Sequence, residues 1–154
     1  MAKRFLTPLA AFGVALALVS CSRELKPDKK GVWLASGGRL IQAAAASIET
    51  EFTPEGFATD YFTGEPTLTL KSGDYFILYG DYAPYALRAF KKRGARYEED
   101  ASKGSLTDGV QKSQFRGEKE MYHCKMTKPL AAGIYVLDIE HAGAKMAIAF
   151  QVQF

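Results

Sequence analysis

The C-terminal end of the chain alternates apolar and polar side chains more regularly than any other part. Every second residue is apolar: Met146, Ile148, Phe150, Val152 and Phe154. The residues between them are Lys145, Ala147, Ala149, Gln151 and Gln153. Successive side chains of a β-strand point to opposite faces, so this pattern predicts a strand with one face in a hydrophobic core. Because Phe154 is the last residue of the apolar set, we expect the C-terminus to be held in the sheet.

Short segments of a similar kind recur along the chain, with turn residues between them. Residues 75–79 form a dense β-branched and aromatic run, which predicts a central strand. The Gly37-Gly38 pair separates two apolar-rich segments and predicts a tight hairpin turn. Further strands are predicted over 67–71, 85–90, 121–126 and 134–139, while 43–52 fits either a short helical run or an extended segment. About seven or eight strands predict a mostly β fold, an antiparallel sandwich or barrel.

Two stretches lack a sustained strand pattern and are predicted to be loops. Residues 53–66 contain two prolines and two glycines and are expected to form one long loop. Residues 91–119 are the most polar part of the chain. We expect a short strand around 95–98 there and an exposed loop elsewhere.

The last part of the chain resembles a known family of folds. Pro129-Leu130 is followed by Gly133 and by Tyr135-Val136-Leu137, and then by the alternating final strand. This arrangement is similar to the closing hairpin of many small exported immunoglobulin-like sandwiches. The resemblance implies a single immunoglobulin-like β-sandwich over residues 31–154. It supports a fold and implies no particular activity.

The N-terminus has the layout of a secretory signal. Lys3 and Arg4 precede a mostly apolar segment, Phe5–Val19, which predicts a signal helix. The segment ends in Leu18-Val19-Ser20-Cys21, which fills all four positions of a lipobox. In this respect the chain resembles the bacterial lipoprotein family. A plain signal peptide and an uncleaved anchor are the alternatives, although the apolar run is short for a membrane-spanning helix, which needs about 20 residues.

The lipoprotein resemblance implies a division of the chain and a location. Residues 1–20 are then a lipoprotein signal peptide that is cleaved before Cys21, whose thiol carries a diacylglyceryl group and whose amino group is often acylated too. Residues 21–30 form a polar, flexible, lipidated tether, and 31–154 form the β-sandwich domain. The protein is expected in the cell envelope, bound to a membrane through its acyl chains. Ser22 favours the outer membrane if the source has two membranes.

Charge and cysteine content exclude some classes of function. Removing Lys3 and Arg4 with the signal lowers the formal net charge from +3 to +1. A nearly neutral domain does not indicate electrostatic binding of nucleic acid. Cys124 is the only cysteine after Cys21, so no disulfide can form within the domain.

The residues that most often carry chemistry do not form a recognisable set. His123 is predicted on the solvent face of a strand and His141 in a hairpin loop, and neither has further metal ligands at a telling spacing. Cys124 follows His123, but neighbouring strand residues face opposite ways, so Cys124 is predicted in the core rather than as a nucleophile. We therefore expect a protein that is not an enzyme and has no cofactor or metal.

Charged residues cluster in the middle of the chain. Glu98-Glu99-Asp100 is an acidic triplet that lacks the alternating spacing of a calcium loop. Basic residues lie around it: Arg88, Lys91, Lys92, Arg93 and Arg96. This composition predicts a solvated face of mixed charge, with contact to anionic lipid headgroups as the alternative.

Aromatic residues in irregular segments provide the candidate binding surface. Phe57, Tyr61 and Phe62 fall in one predicted loop, and Tyr82 and Tyr85 flank Pro84. Exposed aromatic rings are typical of recognition surfaces, but these rings could instead fold back over the ends of the sandwich. The sequence thus predicts a non-enzymatic envelope interaction or structural module with a protein partner. The alternative is a lipoprotein that binds a carbohydrate or another small ligand through these aromatics.

Overall fold

The structure, a computed structural model, describes residues 24–154; the predicted signal peptide and Cys21 lie outside this range. The described part contains twelve strands, two short 3₁₀ turns and no α-helix. The first six strands are β1 (Gly31–Ser36), β2 (Arg39–Gln42), β3 (Glu49–Phe52), β4 (Ala58–Thr63), β5 (Leu68–Leu70) and β6 (Tyr75–Tyr79). The others are β7 (Tyr82–Arg93), β8 (Arg96–Glu99), β9 (Val110–Gln114), β10 (Met121–Met126), β11 (Gly133–His141) and β12 (Ala144–Val152). The 3₁₀ turns, Ala101–Lys103 and Thr107–Gly109, lie between β8 and β9.

The strands form two sheets. The five-stranded sheet has the order β2-β1-β6-β10-β9, and all its pairs are antiparallel. The seven-stranded sheet has the order β3-β4-β8-β7-β11-β12-β5. It is antiparallel except for β5, which runs parallel to β12. The prediction of a mostly β fold is confirmed, and two packed sheets are consistent with a β-sandwich.

The predicted Gly37-Gly38 turn and the predicted central strand at 75–79 are both confirmed. Gly37 and Gly38 connect β1 and β2 and have φ angles of +56° and +74°. A two-residue hairpin turn with positive φ at both positions matches the right-handed twist of strands, and glycine adopts it without steric cost. Residues 75–79 form β6 at the centre of the five-stranded sheet, as predicted.

The main hydrophobic core lies between the two sheets. Leu34, Phe76 and Cys124 come from the five-stranded sheet, and Leu137 and Phe150 come from the seven-stranded one; all five are fully buried. The rings of Phe76 and Phe150 meet edge to face, with centroids 5.4 Å apart. Burying each large apolar side chain contributes roughly 1.5–3 kcal/mol, so this layer is the principal source of stability.

Each sheet also carries a smaller apolar cluster on its outer face. The outer cluster of the five-stranded sheet consists of Trp33, Ala35, Ile77, Phe115 and Met121. The outer cluster of the seven-stranded sheet consists of Phe62, Phe90, Tyr97, Val136 and Ala147. The inner strands of both sheets are therefore apolar on both sides, which simple alternation does not predict.

The structure corrects several predicted boundaries. Residues 53–66 are not one loop, because 58–63 form β4. The short strand predicted around 95–98 is present as β8, but residues 91–119 also contain the end of β7 and all of β9, so the rest of this polar stretch is not one exposed loop. Phe154 lies beyond the end of β12 and is 89% exposed, so it does not hold the C-terminus in the core.

The first described residues, 24–30, lie across the outer cluster of the five-stranded sheet, and we call them the strap. Pro27 is buried, and the carbonyl oxygen of Lys29 accepts a hydrogen bond from the indole N–H of Trp33 at 3.2 Å. The Glu24 carboxylate lies 2.6 Å from His123 Nε2. This part of the expected flexible tether is therefore packed against the domain.

Candidate functional site

A cleft on the outer side of the seven-stranded sheet brings charged and aromatic side chains together. Its volume is about 470 Å³. The residues that line it include one aliphatic, one aromatic and four charged side chains: Ile48, Tyr85, Asp60, Arg88, Asp138 and Lys145. We call it the Arg88 cleft, because the guanidinium of Arg88 joins the strands that form it.

Irregular pairing of β7 with β11 places Tyr85 at the cleft. Ala86 pairs with Asp138, and Pro84 pairs with Ile139, so Tyr85 is left without a partner on β11. A bulge of this kind redirects side chains, and it also tolerates a proline, which has no backbone N–H to donate. The Tyr85 ring is 42% exposed, and Lys145 Nζ lies 5.8 Å from its centroid.

Arg88 binds three carboxylates from three other strands. Its Nε and Nη2 donate to the two carboxylate oxygens of Asp138, at 2.6 and 3.0 Å. Its Nη1 donates to Asp60 at 2.6 Å and to Glu99 at 2.9 Å. The side chain of Asp138 is only 8% exposed, so the paired geometry offsets the cost of removing its charge from water.

The network favours the charged forms of Arg88 and Asp60. Burial alone would lower the pKa of Arg88, but hydrogen bonds to Asp138 and Asp60 outweigh it and raise the pKa above its ordinary value. Burial would likewise raise the pKa of Asp60, yet hydrogen bonds from Thr50 and Arg88 bring it below the usual 3.8. The floor of the cleft is thus a fixed set of charges that suits binding of polar groups.

The structure separates the five aromatic residues that were predicted to form a binding surface. Only Tyr85 lines the cleft. Phe57 lies at the tip of the β3–β4 hairpin and is 71% exposed, close in sequence to Phe52, which is 72% exposed. Phe62 is buried and stacks on Tyr97, with ring centroids 5.1 Å apart. It is therefore a core residue, because β4 turns it toward the outer cluster of the sheet.

The remaining two aromatics make separate local contacts. The Tyr61 hydroxyl donates to Glu49 at 2.6 Å, and the Arg96 guanidinium lies 4.3 Å from the Tyr61 ring. The hydrogen bond to Glu49 raises the pKa of Tyr61. Tyr82 stacks on His141 with centroids 4.1 Å apart. These five rings therefore do not form one recognition surface.

The histidines and the cysteine have structural partners. His123 is not on an open solvent face as predicted, because it stacks on Phe115 at 4.1 Å beneath the strap. His141 donates through Nδ1 to the carbonyl oxygen of Asp81 at 2.7 Å. Cys124 is fully buried, as predicted, and burial raises the pKa of its thiol to about 12. Within residues 24–154, no group of three or more His, Cys, Asp or Glu side chains is arranged to hold a metal ion.

The acidic triplet is divided among different partners. Glu98 pairs with Arg96 at 2.8 Å, and Asp100 pairs with Lys91 at 3.4 Å. Glu99 belongs to the Arg88 network. Charges of both signs therefore alternate here as predicted, but the face is less solvated than predicted, because the three carboxylates are only 14–34% exposed.

Sequence reasoning missed the network of Arg88 with Asp60 and Asp138. One signal was available: Asp138 is the only charged residue in the apolar run Ile134–Ile139. A carboxylate in a strand of that composition is seldom buried without a cationic partner. Its partner could not be read from the sequence, because the pairing depends on strand order.

Two further findings concern membrane-spanning helices and similarity to known proteins. In residues 24–154 no helix is both long and apolar enough to span a bilayer. The chain matches no protein-family model, no curated protein and no solved structure.

Proposed function

We propose that this protein is a bacterial lipoprotein whose β domain is a non-enzymatic interaction or structural module of the cell envelope. The observation that carries the anchor is Leu18-Val19-Ser20-Cys21 after a basic start and an apolar segment. Each buried CH₂ of an acyl chain contributes about 0.8 kcal/mol, and one chain binds only marginally. A doubly or triply acylated Cys21 would therefore hold the domain firmly on a membrane.

We further propose that the domain is immunoglobulin-like, with strand order as support. Immunoglobulin domains place strands A, B, E and D in one sheet and C, F and G in the other, and variable domains add C′ beside C. Here β1-β6-β10-β9 follows the order A-B-E-D, and β12-β11-β7-β8 follows G-F-C-C′. The hairpin β3–β4 would then be an insertion that extends the second sheet beyond C′.

A side-chain contact adds to this support. Near the start of β11, the Tyr135 hydroxyl donates to the carbonyl oxygen of Ala131 at 2.8 Å, four residues upstream. This matches the tyrosine corner of immunoglobulin-like domains, in which a tyrosine at the start of strand F bonds to nearby upstream backbone. Leu137 stands where antibody domains have their second cysteine, so packing replaces the disulfide.

The β3–β4 hairpin supports an interaction role. Phe52 and Phe57, both more than two-thirds exposed, lie at its tip. Large apolar rings gathered at one exposed place are typical of a site that contacts another protein. Such a site needs no catalytic groups, which fits a cleft in which Arg88 is bound to Asp60 and Asp138.

Intact mass tests the anchor directly. The protein is purified from bacterial membranes beside a Cys21→Ala variant. We expect a mature mass that begins at residue 21 and carries about two or three acyl chains, and an unacylated mass for the variant. An unmodified wild-type chain would contradict the proposal.

The second candidate function is binding of a carbohydrate or similar small polar ligand in the Arg88 cleft. The exposed ring of Tyr85 beside the carboxylates of Asp60 and Asp138 favours it, because sugars stack on aromatic rings and donate hydroxyl hydrogen bonds to carboxylates. A glycan-binding assay compares Tyr85→Ala with Phe57→Ala. Glycan binding that is lost only in the Tyr85 variant, at an unchanged melting temperature, would favour this function over the first.

A further inference from the structure

We infer that the domain turns the outer face of its five-stranded sheet, the face covered by the strap, toward the lipid bilayer. The inference rests on the proposed acyl anchor at Cys21 and adds an orientation and a contact surface to it. The partner on this face is the headgroup layer of the anchoring membrane.

The strap is attached at both of its ends. Glu24 pairs with His123 at 2.6 Å, and Lys26 pairs with Glu118 at 2.7 Å. At the other end, Lys30 pairs with Glu120 at 3.2 Å. Pro27 is buried between these contacts. Because the contacts are spread along the segment, the chain is held against the domain from the first described residue, Glu24, and not only from the start of β1.

The remaining length of chain limits the distance to the anchor. Only residues 22 and 23 separate Glu24 from Cys21. An extended chain spans at most about 3.6 Å per residue, so the Cα atoms of Cys21 and Glu24 are no more than about 11 Å apart. Packed sheets are about 10 Å apart even before their outer side chains are counted. The opposite face of the domain is therefore beyond the reach of the anchor.

The part of this face beside the strap has a composition that suits headgroups. Lys125 is exposed, and its Nζ lies 5.1 Å from the ring of Tyr75. The neighbouring strand β9 presents Gln111 and Ser113 at the positions that pair with Lys125 and His123. Lysine attracts anionic lipids, and tyrosine is enriched at the level of the headgroups.

Fluorescence quenching by headgroup-labelled lipids tests the orientation. The acylated full-length protein is bound to vesicles of phosphatidylethanolamine and phosphatidylglycerol that contain a lipid with a nitroxide on its headgroup. A fluorophore is attached through Ser113→Cys, on the inferred membrane face, or through the matched control Ser47→Cys. Ser47 is also exposed, but it lies beside Phe62 on the side of the seven-stranded sheet. Native Cys124 is buried and stays unlabelled.

We expect quenching at position 113 to exceed quenching at position 47 several-fold. In a Glu24→Gln/Lys26→Gln variant, which removes the charges from two of the strap's contacts with the domain, this excess should fall toward the value at position 47. Equal quenching at both positions would overturn the inference, and so would an excess that the strap variant leaves unchanged.

Intact mass of each preparation distinguishes the two proposals. An acylated Cys21 together with equal quenching overturns the orientation alone. An unacylated Cys21 overturns the proposed function and, with it, the inference.

Discussion

Replacing Arg88 by methionine removes the single positive charge that binds three carboxylates, and it keeps most of the apolar stem of the side chain. The stem matters because the Arg88 side chain runs beside the outer cluster, where its guanidinium carbon lies 5.3 Å from the ring centroid of Phe90. A methionine keeps apolar atoms at that place. Without the guanidinium, the buried carboxylate of Asp138 loses both of its charged hydrogen bonds. Asp60 and Glu99 also lose their shared partner.

The size of the effect follows from burial. Removing one partner of a buried ion pair costs about 3–5 kcal/mol, because the other charge remains out of water. Arg96→Met is the matched control, since Arg96 pairs with Glu51 and Glu98 at the surface, where ion pairs contribute little to stability. Since domains have roughly 5–15 kcal/mol of stability, one that lies near the middle of this range stays folded after either change.

Urea unfolding of residues 22–154, followed by the fluorescence of Trp33, gives the free energy of unfolding of each variant. We expect Arg88→Met to lose several times more than Arg96→Met at pH 7. The double variant Arg88→Met/Asp138→Leu should recover part of the loss, because apolar residues often replace a buried ion pair without penalty. A loss below about 1 kcal/mol for Arg88→Met would refute the argument, since it would mean that water solvates the network.

The pH dependence has a definite sign. The pKa of Asp60 in the folded protein lies below its usual 3.8. A carboxyl with a lowered folded pKa adds stability that is present above pH 3.8 and is lost as the pH falls below it. The stability difference between wild type and Arg88→Met should therefore shrink on acidification, and a difference that grows below pH 3.8 would contradict this reasoning.

The other predictions concern single side chains. Cys124 should resist iodoacetamide in the native protein at pH 8 and react fully in urea, because the thiol is buried and its pKa is raised to about 12; rapid native labelling by mass would contradict this. Phe62→Ala should lower the free energy of unfolding by about 3–5 kcal/mol in thermal or urea unfolding, because it leaves a cavity in the outer cluster of the seven-stranded sheet. Phe57→Ser should change stability by no more than about 0.5 kcal/mol, because the ring is exposed; similar losses for the two variants would be inconsistent with the structure.

The sequence predicted the elements whose signals are local. The Gly37-Gly38 turn and the central strand at 75–79 follow from backbone freedom and from side-chain type, which act within a few residues. The burial of Cys124 followed from its alternation with Tyr122 and Met126. These predictions did not depend on which strands are neighbours.

The predictions that failed depend on contacts between distant segments. The alternation argument assumes that each strand has one solvent-exposed face. His123, however, lies under the strap, and Phe62 lies in a hydrophobic cluster on the outer face. Pro54 and Pro66 suggested a continuous loop, although they bound a strand that pairs with β8. The Arg88 cleft likewise brings together β4, β7 and the β11–β12 hairpin, which are far apart in the chain. Its shape depends on the order of strands in the sheet, which a period-two pattern does not encode.

The position of the final strand links folding to completion of the chain. The last nine-residue strand, β12, is not at an edge: it lies between β11 and β5 and supplies Ile148 and Phe150 to the core. Its pairing with β5 joins residues that are about half the chain apart, and such long-range contacts form slowly. A polypeptide in which β12 has not yet been synthesised therefore lacks the strand that joins β11 to β5. The larger sheet can be completed only after β12 has formed between them, so the early strand β5 waits for one of the last segments of the fold.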